Sequence, residues 1–225
     1  TKISDVHVGS PEKGLSVFER DLECVKAMGL PSNDKFPELF PTESELDWAR
    51  QFLQSNGYDL NRKVIVIHPW SSQAIREWGV DRYGELCKKL HQEYDCQIVI
   101  NCDESEFSKT QIFREYVPEI IIFKGSIRKL IALIHEADLM IGNDSGPTQF
   151  PPALNTPCLI FVGNEFKEMY RDLDIFKGKF TCLYKDVPCR DLLSTLCFAP
   201  CENRVCLDFS VTDVLNQALD LIEYK

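Results

Sequence analysis

The sequence predicts an α/β fold, a parallel sheet with helices on both faces, and two observations carry that expectation. From Val64 onward, short apolar runs alternate with longer stretches whose apolar residues recur at helical spacing. Alternation of this kind implies parallel strands joined by crossover helices that cover both faces. Within it, Asp138-Leu139-Met140-Ile141-Gly142 and Cys158-Leu159-Ile160-Phe161-Val162-Gly163 are so close together that only a compact crossover fits between them.

Leu15 to Met28 sets Leu15, Phe18, Leu22, Val25 and Met28 at helical spacing, and Gly29 supplies a stop. Pro31 to Pro41 reads as a linker. Thr42-Glu43-Ser44-Glu45 is a capping box that opens a second helix through Leu46, Ala49 and Phe52-Leu53, closed by Gly57. Both helices precede any strand. Residues 1–61 are therefore read as helices and linker leading from a missing domain into a sheet domain of residues 62–225, in a chain that begins partway through a larger protein. Strands are expected near Val64 to Ile67, Ile98 to Ile100, Ile120 to Phe123, Leu139 to Ile141 and Leu159 to Val162. The helices between them run near Asp81 to Tyr94, Ser105 to Tyr116 and Ile127 to Glu136. Phe180 to Tyr184 adds a last strand and Thr212 to Ile222 a closing helix. No internal repeat, P-loop, dinucleotide glycine fingerprint or His-rich zinc motif is present.

Composition narrows the function. With 225 residues, 44% of them hydrophobic, the chain can bury a sizeable core. A formal net charge of −10 opposes the attraction that nucleic-acid binders rely on. No apolar run reaches the about 20 residues of a membrane span. The opening TKISDVHVGS lacks the basic and apolar regions of a signal peptide. A cytoplasmic chain with at most peripheral membrane contact is expected. Of ten cysteines, Cys24, Cys87, Cys96 and Cys158 fall with the predicted elements and read as reduced core residues. Cys189, Cys197, Cys201 and Cys206 crowd the tail, where four thiolates could close around zinc or iron; their spacing matches no standard zinc pair, and structural thiols without metal are expected.

The turn at the end of the Leu139 run lies where ligands bind in open α/β sheets. Asp144 or Ser145 can cap the following helix, Gly146 permits close backbone approach, and Pro147 is tolerated in a first turn. Amides at such a helix start attract phosphate or sugar oxygens. An ordinary strand-to-helix cap would look the same. His68, Trp70 and Trp78 are read as hydrogen-bonding and packing residues rather than catalysts.

Four motifs occur in one order at successive strand ends: His68-Pro69-Trp70-Ser71-Ser72, Arg76-Glu77-Trp78, Glu104 to Glu106, and Asn143-Asp144-Ser145-Gly146-Pro147. The set resembles glycosyltransferase family 9, the ADP-heptose:lipopolysaccharide heptosyltransferases, over about residues 15 to 225. The resemblance implies a Rossmann-like domain, the C-terminal, donor-binding half of a two-domain GT-B enzyme. A missing N-terminal domain would hold the acceptor, a lipopolysaccharide core or other glycan, and the catalytic base. It implies a nucleoside-diphosphate sugar such as ADP-heptose as donor, no separate cofactor, and work at the inner face of the membrane.

Carried over, Ser71 and Ser72 would contact phosphates, Arg76 would replace the usual lysine on the diphosphate, and Glu106, or Glu104 one step out of register, would bind the ribose. Asp144 with the Ser145 and Gly146 backbone would meet the sugar and its phosphate, with Pro147 and Gln149 completing the site. Three departures stand out: Arg76 for lysine, Gln149 for a usual histidine, and Pro151-Pro152, which shorten the following helix. They bear on the sugar more than on the fold. Two rival readings are an epimerase of the same architecture and a non-catalytic nucleotide-sugar binding module.

Overall fold

Six strands, β1 (Val64–His68), β2 (Gln97–Cys102), β3 (Ile121–Lys124), β4 (Leu139–Asn143), β5 (Cys158–Val162) and β6 (Phe180–Tyr184), form one parallel sheet in the order β3-β2-β1-β4-β5-β6. The protein is described by a computed structural model over residues 17–31, 37–59, 61–163, 179–189, 201 and 204–223. The order winds outward in two directions from the adjacent pair β1 and β4, whose register sets His68 opposite Gly142. Loops leaving the carboxyl ends of such a pair depart to opposite sides and open a crevice between them.

Helices α1 (Val17–Ala27) and α2 (Glu43–Ser55) precede β1, α3 (Val80–Tyr94), α4 (Phe113–Tyr116), α5 (Ile127–Glu136) and α6 (Phe150–Leu154) lie between strands, and α7 (Val211–Glu223) follows β6. Strand alternation divides the core. Ile65 and Ile67 of β1 pack with Leu86 and Leu90 of α3 and with Val214 and Ala218 of α7. Val64 and Val66 face the other way, toward Leu53 of α2 and Leu130 and Leu133 of α5. Both faces are covered, as the apolar runs predict.

The packing of α2 is settled by the structure, and two expectations change. The capping box of α2 is present, with Thr42 N–H donating to Glu45 Oε2 at 2.8 Å. The helix it opens, however, buries Leu46, Ala49 and Leu53 in the sheet's own core. Arg50 joins it to α5 through two hydrogen bonds to the Glu136 carboxylate, at 3.1 and 3.0 Å. A helix ahead of residue 61 thus packs as part of the sheet domain. Ser105 to Tyr116 is not one helix but a tight turn, a 3-10 segment over Phe107–Ile112, and α4. Asp103 accepts from Ser105 Oγ at 2.7 Å and from Glu106 N–H at 3.0 Å, local bonds that compete with the helix start. Cys24 is exposed, while Cys87, Cys96 and Cys158 are buried as expected.

Leu15, Cys197 and part of the Pro31 to Pro41 linker lie outside the described residues. Among the described residues no three potential metal ligands gather, and no helix is long and apolar enough to cross a membrane.

Candidate functional site

The site grows from the contact between β1 and β4. At Gly142 a Cβ would stand 2.6 Å from Thr148 Cγ2 and 3.0 Å from His68 O, so only glycine lets the end of β4 lie this close to both. Beyond it, Asp144 N–H donates to Phe161 O at 3.0 Å and continues the line of the sheet. The backbone then turns: Ser145 N–H donates to Thr148 Oγ1 at 3.3 Å, and that hydroxyl sits 2.9 Å from Asn143 O and 2.8 Å from Ser145 O. Gly146–Gln149 forms one 3-10 segment before the five-residue α6, which ends with Asn155 in the left-handed region at φ 57°. Gly146 is exposed, with open space where a side chain would project.

The loop from Pro69 to Gly79 faces this turn. Ser71 N–H donates to Glu77 Oε1 at 3.0 Å and Gln73 N–H to Ser71 Oγ at 3.3 Å, closing the loop on itself. A single 3-10 turn, Ala74–Arg76, carries Arg76 to its place. Its Nη1 stands 3.5 Å from Asp144 Oδ2. Ser72 is exposed at the rim of the same loop. Behind it, Trp78 is buried and stacks on Phe161 at 4.5 Å and 18°, and its Nε1 donates to Phe209 O at 3.1 Å.

Arg76 and Asp144 are thus in contact, with Ser71 and Ser72 in the arginine's loop and Ser145, Gly146, Pro147 and Gln149 in the turn after the aspartate. The two glutamates part company. Glu104 pairs with Lys124 at 2.9 Å, toward the β3 edge, and its side chain is 85% exposed. Glu106 accepts from Asp103 N–H at 2.9 Å, and partial burial raises its carboxyl pKa, with the Asp103 and Glu77 charges adding to the effect. His68 is buried, with Nδ1 3.0 Å from Asn101 Nδ2, and burial lowers its pKa to about 4. A ring held neutral inside the sheet fits the hydrogen-bonding role expected of it. Trp70 is also buried, edge-on to Phe113.

Three contributors carry no role in the sequence reading: Glu77, Tyr83 and Asn143. Asn143 is fully buried; its Oδ1 accepts from Trp78 N–H and Tyr83 OH, each at 3.0 Å, and its Nδ2 donates to Pro69 O at 2.8 Å. An asparagine ending an apolar strand is the available signal, because a buried amide needs partners and those are drawn from the nearest loops.

Residues 10–171 match glycosyltransferase family 9 (heptosyltransferase). The lipopolysaccharide core heptosyltransferase OpsX of Haemophilus influenzae is 27% identical over 149 residues, 64% of this chain and 41% of that protein. The glycosyl transferase family 9 structure from Veillonella parvula superposes with a TM-score of 0.75 at 15% identity, covering 97% of this chain and 63% of that one. The ADP-heptose lipopolysaccharide heptosyltransferase II of E. coli gives 0.72 at 18% identity, covering 98% and 66%. The chain spans less than half the length of the Haemophilus relative, and the likenesses of structure establish the fold.

Proposed function

The chain belongs to glycosyltransferase family 9, and from that footing we propose that it receives the nucleoside-diphosphate sugar of a heptosyltransferase-like reaction in the crevice between β1 and β4. The observation that carries this reading is the meeting of Arg76 and Asp144 at the switch point of a 3-2-1-4-5-6 sheet. At 3.5 Å the pair is longer than the about 2.7–2.9 Å of a tight charged bond. Arg76 offers planar paired donors where a lysine would offer a point charge.

In this reading Ser71 and Ser72 border the phosphates, and the turn at Ser145 and Gly146 takes the phosphate and sugar oxygens. Pro147 and Gln149 flank that turn. Asp144 accepts from sugar hydroxyls while balancing Arg76. Glu106 is favoured over Glu104 for the ribose, because Glu104 pairs with Lys124 at the β3 side while Glu106 is held, partly buried, by the turn at the end of β2. The donor is a substrate, ADP-heptose or a close relative, and no cofactor is assigned. The acceptor, a lipopolysaccharide core or other glycan, and the base that deprotonates its hydroxyl are assigned to a further domain of a longer protein working at the cytoplasmic face of the membrane. Titrating the chain with ADP, UDP and GDP tests the reading: ADP should bind most tightly. Equal, weak uptake of all three would remove the case for an ADP-sugar donor.

A further inference from the structure

Asn143 is fully buried, one residue before Asp144, and all its side-chain polar contacts run to other parts of the chain. Two of them bracket the loop that carries Arg76. The Nδ2 donates to Pro69 O at 2.8 Å, where the loop leaves β1, and the Oδ1 accepts Trp78 N–H at 3.0 Å, where the loop returns to α3. A third, from Tyr83 OH at 3.0 Å, fixes the amide from the core side. The partners dictate which end of the amide is which, since Pro69 O only accepts and Trp78 N–H only donates. We infer that Asn143 is a positioning residue: one planar amide sets both ends of the Pro69 to Trp78 loop against the residue next to Asp144, and so holds Arg76 and Asp144 in the geometry that receives the diphosphate.

The residue type follows from the contacts. Alanine would leave Trp78 N–H and Tyr83 OH unpaired in a site closed to water, and the loop would relax to find water. An aspartate would keep the two acceptor roles but set a carboxylate against Pro69 O, a contact made good only when the carboxyl is protonated and can donate. The inference rests on the donor-binding reading for its consequence in ADP affinity, and on geometry alone for its consequence in the loop.

The experiment reads both, using calorimetry with ADP and amide hydrogen exchange on the chain and three variants. Asn143→Ala should weaken ADP binding at least tenfold and speed exchange across residues 71–78 at least tenfold, while amides of β2 and β5 keep their protection. Leu133→Ala, a core truncation on the far face, should lower stability yet leave ADP affinity within twofold and the loop protected. Asn143→Asp should bind ADP more tightly, and protect the loop better, at pH 5.5 than at pH 8, relative to the same shift in the native chain. A folded Asn143→Ala that keeps its loop protection overturns the inference. So does Asn143→Asp with no pH-dependent difference from the native chain, which decides the matter should the alanine variant fail to fold. A native chain that does not bind ADP at all overturns the donor reading instead, and the exchange results still decide the role of Asn143.

Discussion

Arg76 and Asp144, separated by 68 positions in the chain, meet across the carboxyl ends of two adjacent strands with Nη1 and Oδ2 3.5 Å apart. Neither residue type signals this alone. The sheet order makes them neighbours, and Gly142 lets the two strand ends close to the distance at which they can touch.

Gly142→Ala is the first prediction. The added methyl would meet Thr148 Cγ2 at 2.6 Å and the His68 carbonyl at 3.0 Å, and the latter is backbone that cannot step aside. A loss of about 1–3 kcal/mol from overpacking is expected in urea denaturation, with weakened ADP binding. A variant as stable as the native chain would show that the strand ends are looser than described.

A second prediction concerns α2. Leu53 is buried against the sheet, and Leu53→Ala should cost about 2–4 kcal/mol by leaving a cavity. A chain beginning at residue 62 should accordingly fail to give a cooperative unfolding transition. Cooperative folding of that shorter chain would separate α2 from the sheet domain.

Stability should also fall as the solution is acidified, and His68 supplies one identifiable part. Its folded pKa, about 4, lies below its ordinary 6.5, so the unfolded chain binds the proton more readily between those values. The contribution is fully present above pH 6.5 and is lost as pH falls toward 4, amounting to as much as about 3 kcal/mol. Denaturation midpoints at pH 7 and pH 5 should differ less in His68→Gln than in the native chain. Equal pH dependence in both would exclude His68 as a source.

Much of this was legible in advance. The six strands, the covered sheet and the meeting of Arg76 with Asp144 follow from apolar runs and from the rule that loops gather at carboxyl ends. The partition of the glutamates was not legible, because Glu104 and Glu106 differ only in whether Lys124 or the Asp103 turn claims them. The break in the Ser105 to Tyr116 helix was equally hidden, since it depends on side-chain bonds from Asp103 that periodicity does not register. Asn143 went unassigned because its partners, Pro69, Trp78 and Tyr83, come together only once the sheet has formed.

The described chain should bind donor without transferring it. Holding an acceptor hydroxyl against the anomeric carbon with a base in reach can supply about 7–11 kcal/mol of a barrier. In the proposed reading those groups are assigned to a further domain. Incubation with ADP-heptose and a truncated lipopolysaccharide acceptor should give negligible turnover beside that of a full-length heptosyltransferase. Comparable turnover would place the base within these residues.

The most direct measurement is calorimetric titration of ADP into the native chain and Arg76→Ala. Loss of a charge-assisted contact to the diphosphate should weaken binding by about 1.5–3 kcal/mol, roughly 10- to 150-fold, with the variant still folded. Unchanged affinity in the variant would assign Arg76 to a structural pair with Asp144 and contradict the placement of the donor in this crevice.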